Sequence, residues 1–287
     1  MAEAPAAARI AVLQMTSGID PARNGAVLAD AIGAAAADGA VMLFTPEMSG
    51  LLDRVRKRAA PHIAAEEADR VLGVVREAAA RAGVWVALGS LALARPDGRW
   101  VNRGFVIDGS GAIIARYDKL HMFDVDLASG ESWRESAAYA AGDAVVTAMT
   151  PLGRLGLAIC YDLRFPALFE ALGAARCDVI AIPAAFTVPT GAAHWHVLQR
   201  ARAIEASAYV VAAAQVGRHE DGRETYGHSL VVDPWGEVRL DLGGERAGLG
   251  FATIDHARIA EVRRQLPSLA NRRHLPAAAD SRERAAP

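Results

Sequence analysis

Short apolar or β-branched runs alternate along the chain with longer Ala-rich stretches whose apolar positions recur at helical spacing. This rhythm predicts strands at 10–13 and 41–44 and helices over 24–37 and 64–82, the latter closed by Gly83. Three successive strands follow at 84–93, 101–107 and 112–117, separated by Pro-Asp-Gly and Asp-Gly-Ser-Gly turns, with a hairpin expected between the last two. Residues 119–143 are polar and read as one long irregular loop. Strands at 145–149 and 155–159 flank a Pro-Leu-Gly turn, and a helix at 166–175 leads to a strand at 179–182. A helix at 192–206 and strands at 209–214 and 229–232 come next, then a Pro-Trp-Gly turn, a strand at 249–254 and a helix at 257–265.

Consecutive hairpins in mid-chain and β-α-β units towards both ends predict mixed α/β sheets packed face to face with helices outside. No linker, composition break or short repeat divides the chain, so one domain is expected over 8–274, with a disordered tail at 1–7 and a mobile one at 275–287. A chain of 287 residues buries roughly three quarters of its unfolded surface and needs neither disulfides nor metal to hold a core. Apolar residues at 52% and charged residues at 22% exclude wholesale disorder, and the net charge of −2 gives no basic balance for nucleic acid or an anionic membrane. No long uncharged apolar run suggests a membrane span, and the start of the chain lacks a signal-peptide pattern. Two cysteines form no disulfide framework, which points to the cytoplasm.

Of 31 basic residues only Lys57 and Lys119 are lysine. Lys57 lies in the solvated run Arg-Val-Arg-Lys-Arg, where arginine would serve. Lys119 lies in Tyr-Asp-Lys-Leu-His-Met-Phe-Asp, and its retention asks for a compact point charge that a planar guanidinium cannot replace. Cys160 ends an apolar strand just before a helix, a turn that holds a nucleophile rigidly beside free backbone N–H groups. A buried cysteine can equally be a small hydrophobe, which suits Cys177 better. Glu47 follows the apolar run 41–44, at the strand end where α/β sheets place their sites, although an exposed loop glutamate would look the same. No histidine stands out as the base. His194 and His196 could hold a metal with His219 or His228, but no carboxylate or cysteine completes a recognisable ligand set, and solvated or core histidine is the simpler reading. A carboxylate to take the thiol proton, an ammonium to hold an oxyanion and a thiolate to attack a carbonyl would together make an acyl-transfer site.

These residues carry a resemblance. Phe-Thr-Pro-Glu47-Met, Tyr-Asp-Lys119-Leu-His-Met-Phe-Asp and Ile-Cys160-Tyr-Asp-Leu-Arg-Phe-Pro resemble, in chain order, the Glu-Lys-Cys signature of the nitrilase superfamily of carbon–nitrogen hydrolases. The segments 195–205 and 226–236 extend it to about residues 8–274. The resemblance implies a four-layer α-β-β-α sandwich, a homodimer with sheets continuing across two subunits, and a hydrolase without cofactor or metal. It makes Glu47 the general base, Lys119 the oxyanion stabiliser, Cys160 the nucleophile forming a thioester, and the backbone N–H of Tyr161 a second oxyanion donor. Glu135 matches the superfamily's second glutamate, which the Glu-Ser step and Gly142 favour over Glu131. Within the superfamily, 212–219 and 223–229 look most like the deaminated glutathione amidase branch. Amidases of small keto amides (ω-amidases) and N-carbamoyl amino acid amidohydrolases remain alternatives, as does a non-catalytic scaffold. A small-molecule amide is the expected partner. Arg164 could pair with a substrate carboxylate or serve as a structural ion-pair partner, and Phe186 and Thr187 could wall the pocket or merely pack at a strand end.

Overall fold

A computed structural model describes residues 7–126, 130 and 132–275. The expected tails therefore lie outside the described residues apart from Ala7, which opens the first strand instead of fraying, and Leu275; Glu131 also lies outside them.

The first half runs β1 (Ala7–Gln14), α1 (Pro21–Ala37), β2 (Met42–Phe44), the short α2 (Arg56–Ala59), α3 (Arg70–Ala82) and β3 (Trp85–Ala94). Strands β4 (Trp100–Ile107) and β5 (Ile113–Asp118) complete it as the expected hairpin. Two small strands, β6 (Asp124–Asp126) and β7 (Ser132–Arg134), pair with each other, and β8 (Tyr139–Ala140) adds to β4. The second half runs β9 (Thr147–Thr150), β10 (Gly153–Leu157), α4 (Pro166–Ala174), β11 (Val179–Ala181), α5 (Val188–Ala206) and β12 (Tyr209–Ala212). A small hairpin of β13 (Val216–Arg218) and β14 (Glu224–Tyr226) follows, then β15 (Leu230–Val232), β16 (Val238–Asp241), β17 (Gly248–Asp255) and α6 (His256–Gln265).

The strands form two large sheets, ordered β17-β1-β2-β3-β4-β5 and β16-β15-β12-β11-β10-β9. Each is built around three parallel strands joined by helical crossovers, with antiparallel strands on both flanks. Strand residues alternate between two buried faces. Ile10, Val12, Met42 and Phe44 enter the core shared with the second sheet, whereas Ala11, Leu13 and Leu43 enter a core covered by Leu28 and Ile32 of α1 and Val71 and Val75 of α3. On the second sheet Leu168, Phe169 and Trp195 of α4 and α5 cover the outer face. This is the α-β-β-α sandwich, with strands apolar on both sides because both faces are covered. Among the described residues no helix is long and apolar enough to cross a membrane.

Several boundaries differ from expectation. The helix expected from residue 64 begins at Arg70, because Asp69 caps it by accepting from Leu72 N at 2.8 Å. The helix expected from residue 24 begins three positions earlier, with Asp20 as cap and Pro21 in the first turn. The supposed loop 119–143 holds the β6–β7 hairpin, the turn Glu135–Ala137 and β8. Strands β13, β14 and β16 were not expected at all.

Candidate active site

The loop after β2 and the ends of β5 and β10 deliver Glu47, Lys119 and Cys160 to one place, where Glu135 joins them from the turn after β7. Lys119 is 2% exposed and its Nζ donates to Glu47 Oε1 at 2.9 Å and to Glu135 Oε2 and Oε1 at 2.9 and 3.1 Å. Glu47 is equally buried; Oε1 also accepts from Asn102 Nδ2 at 2.9 Å, and Oε2 accepts from Ala185 N at 3.0 Å. Glu135 Oε2 accepts from Phe123 N at 2.7 Å.

Cys160 has φ +48°, a left-handed backbone that costs a non-glycine residue about 1–3 kcal/mol and persists only where its surroundings impose it. Its own N–H is committed to Pro183 O at 2.8 Å, which leaves the Tyr161 N–H as the next donor on the turn. The turn Cys160–Arg164 is held by Asp162, which is wholly buried. Asp162 Oδ2 accepts from Ile159 N at 2.9 Å and from Tyr117 Oη at 2.7 Å; Oδ1 accepts from His121 N at 3.0 Å and lies 2.7 Å from His121 Nδ1. Tyr117 and His121 bracket Lys119, so one carboxylate fixes the turn that carries Cys160 against the strand end that carries the ammonium.

Burial would raise the Glu47 carboxyl, but the Lys119 charge and hydrogen bonds from Cys160, Lys119 and Asn102 outweigh it and hold the group below its usual range. Burial and the Glu47 charge push the Cys160 thiol well up. Lys119 loses solvation on burial, yet the charges of Glu135 and Glu47 hold it well above an ordinary lysine. The resting set is therefore a thiol, an ammonium and an ionised Glu47. Cys177 is different: it is fully buried outside the cleft and pushed up to about 12 by desolvation, the small hydrophobe its sequence context suggested.

These groups open onto a cleft of about 860 Å³. Arg164, Phe186 and Thr187 all line it. Arg164 lies over the Phe186 ring at 5.1 Å and donates to His194 Nδ1 at 3.2 Å; among the described residues no carboxylate pairs with it. The ion-pair reading of Arg164 thus gives way to a cation held by an aromatic ring and an imidazole at the cleft wall. Arg54, Arg56, Arg134 and Arg223 line the same cleft and were not singled out from sequence.

Asn102 was also missed. It is fully buried in β4, its side-chain Nδ2 donates to Glu47 Oε1 and, at 3.2 Å, to Glu135 Oε1, and its backbone carbonyl accepts from Lys119 N at 3.0 Å. A polar amide inside a strand that is otherwise apolar except for Arg103 was the available signal. Gln215, buried after β12, donates to Glu47 O at 2.9 Å and so fixes the backbone of that loop. Gly89 is required by close approach: a Cβ there would collide with the carbonyl oxygens of Thr45 and Pro46, just before Glu47.

Residues 9–264 match the family described as carbon-nitrogen hydrolase. The chain belongs to the carbon-nitrogen hydrolase family. The hydrolase is 39% identical over 273 residues to the deaminated glutathione amidase of Yersinia enterocolitica, covering 93% of this chain and 94% of that one. It is 38% identical over 269 residues to the human protein of the same name, covering 92% of this chain and 82% of that one. Among solved structures it resembles the Caenorhabditis elegans NitFhit protein, with a TM-score of 0.87 and 36% identity, covering 94% of this chain and 66% of that fusion chain. The hydrolase is thus an amidase-type enzyme of the nitrilase superfamily, with the sandwich that the motifs implied.

Proposed function

We propose that the enzyme hydrolyses the amide bond between the keto acid and the cysteine of deaminated glutathione, releasing cysteinylglycine and then 2-oxoglutarate through a thioester on Cys160. The observation that carries the substrate reading is the cleft. At about 860 Å³ it suits a tripeptide-sized ligand far better than a five-carbon keto amide, and Arg54, Arg56 and Arg164 line it without a carboxylate partner among the described residues, cations open to a substrate's carboxylates. The relatives named for that substrate support it.

In this reading the thiol attacks the amide carbon while Glu47 takes its proton. Because Glu47 is a weak base and Cys160 a weak acid, the proton moves as the C–S bond forms, not before. Lys119 Nζ and the Tyr161 N–H stabilise the oxyanion, and Glu135 with Asn102 holds Lys119 and Glu47 in register. Glu47 returns the proton to the departing amine of cysteinylglycine, then takes one from the water that opens the thioester. Arg164 pairs with the keto acid carboxylate, and Phe186 and Thr187 wall the acyl group. No step calls for a cofactor. The enzyme acts in the cytoplasm, where both free cysteines stay reduced, and as a homodimer, which light scattering checks by returning twice the chain mass.

The test is release of cysteinylglycine from deaminated glutathione beside release of ammonia from 2-oxoglutaramate. A much higher kcat/KM on the tripeptide derivative is expected, and Arg164→Met should raise its KM about ten- to a hundredfold with little change in kcat, the worth of one charged hydrogen bond. Preference for 2-oxoglutaramate would overturn the substrate reading, and release from neither would overturn the reading as a whole.

The pH profile tests the choice of base. A histidine base would place an inflection near about 6.5. With Glu47 as base, kcat/KM stays level through neutrality and its acid limb lies below the usual carboxylate range. Stability follows the same signs. Glu47, lowered on folding, contributes above its unfolded value, and this is lost as pH falls through the folded one; Lys119, raised on folding, contributes below its unfolded value, and this is lost as pH rises through the folded one. An inflection near neutral pH that Glu47→Gln leaves in place would exclude this base.

A further inference from the structure

Outside the cleft, metal-ligating side chains from three separate elements converge. His196 comes from α5, His228 from the turn before β15, and Asp241 from the last position of β16. One ligand atom from each lies within 4.8 Å of the others. His196 Nε2 is 3.0 Å from Asp241 Oδ2, and His228 Nδ1 is 3.0 and 3.1 Å from the two oxygens of the same carboxylate. The chain's local pattern offers His196 and His228 without a carboxylate; the fold supplies it from β16. We propose that His196, His228 and Asp241 form a binding site for a divalent first-row transition ion of the zinc type, separate from the amidase centre.

Donors around an ion with bonds of about 2.0–2.2 Å stand about 3.0–3.5 Å apart, so the carboxylate and the two imidazoles need to open only by a few tenths of an ångström to hold one. Two imidazoles and one carboxylate select zinc, cobalt or nickel over magnesium or calcium, which take oxygen ligands. The side chains are 35%, 25% and 32% exposed, so an ion can enter and water can fill its remaining positions.

The ligands are also held in place. The His228 ring stacks on Tyr226 with centroids 4.5 Å apart and meets the His196 ring edge-on at 5.0 Å. His228 has a left-handed φ of +53°, imposed by its N–H donating to Gly243 O at 2.7 Å, and Asp241 Oδ1 accepts from Gly243 N at 2.8 Å. Without the ion, imidazole N–H groups donate to the carboxylate. With it, the ion takes the lone pairs of His196 Nε2 and His228 Nδ1, and each ring carries its proton on the opposite nitrogen; nothing is oxidised or reduced.

The ion would tie α5 to the β15–β16 pair. Helix α5 starts directly after Phe186 and Thr187, and Thr187 bridges Thr225, the neighbour of Tyr226, at the cleft wall. A bound ion therefore braces the wall from behind, and its effect is on stability.

The test uses untagged full-length Cys160→Ala protein, so that the active-site thiol takes no ion. Cobalt(II) titration should give a visible ligand-field spectrum saturating at one equivalent, and zinc should displace it. His196→Ala, on a half-exposed helix position, should weaken binding at least tenfold and abolish the rise in melting temperature that zinc gives the parent. Asp241→Asn, which changes a ligand on a different element, should do the same. A spectrum and affinity unchanged in both variants, or no binding at millimolar ion, would overturn the site.

Discussion

Cys160→Ala is expected to cut amide hydrolysis on the order of a millionfold, the cost of deleting a nucleophile that works as one unit with its base and oxyanion donors. The fold should survive. The left-handed backbone at residue 160 is imposed by the bond from its N–H to Pro183 O and by Asp162 across the turn, not by sulfur. Glu47 loses the thiol proton but keeps Lys119, Asn102 and the Ala185 N–H. Melting temperature and far-UV spectrum should therefore match the parent while activity disappears. In the parent, rapid acid quench during turnover should trap an enzyme whose intact mass is raised by the substrate less cysteinylglycine, and the variant should show none. Substantial hydrolysis by a folded Cys160→Ala protein would sink the thioester mechanism.

Lys119→Arg is the second large effect, and it tests why a chain so rich in arginine keeps a lysine there. The ammonium sits in a closed slot with three carboxylate oxygens at 2.9–3.1 Å. A guanidinium carries the same charge but is wider, planar and tied to a fork geometry. Its fit in the slot costs about 1–3 kcal/mol of overpacking. The charge no longer stands as a point beside Cys160, so kcat should fall about a hundred- to a thousandfold, as when one oxyanion donor is lost. Melting temperature should drop by several degrees. Lys57→Arg is the matched control: Lys57 is exposed in α2 and its replacement should change neither quantity. Near-parental activity in folded Lys119→Arg would mean that only charge, not shape, is needed.

How much of this was legible in the chain varied with the physics behind each part. Glu47, Lys119 and Cys160 end elements whose apolar patterning is strong, so their placement could be read locally. Asn102 could not be ranked, because its partners Glu47 and Glu135 lie 55 and 33 positions away and nothing local requires an amide between them. The hairpin of β6 and β7 was hidden because its strands, Asp-Val-Asp and Ser-Trp-Arg, are largely polar and gain their order across the pair, through Arg134 to Asp126 and Ser132 to Asp126. Strand β16 is exposed along most of its length and offers no buried face to signal a strand. The start of α3 was set by the capping aspartate, which outweighed the helical spacing read further upstream.

Asp162 has one more implication. Its partners come from both layers of the sandwich: Tyr117 from the first sheet, Ile159 and the turn of Cys160 from the second. Ammonium and thiol are thus carried by different sheets yet share one buried clasp. Sliding of one layer over the other would have to break that clasp before it could misalign the reacting atoms. The distance between Lys119 and Cys160 is accordingly set by the cohesion of the whole sandwich, and residues far out in either sheet help to hold it.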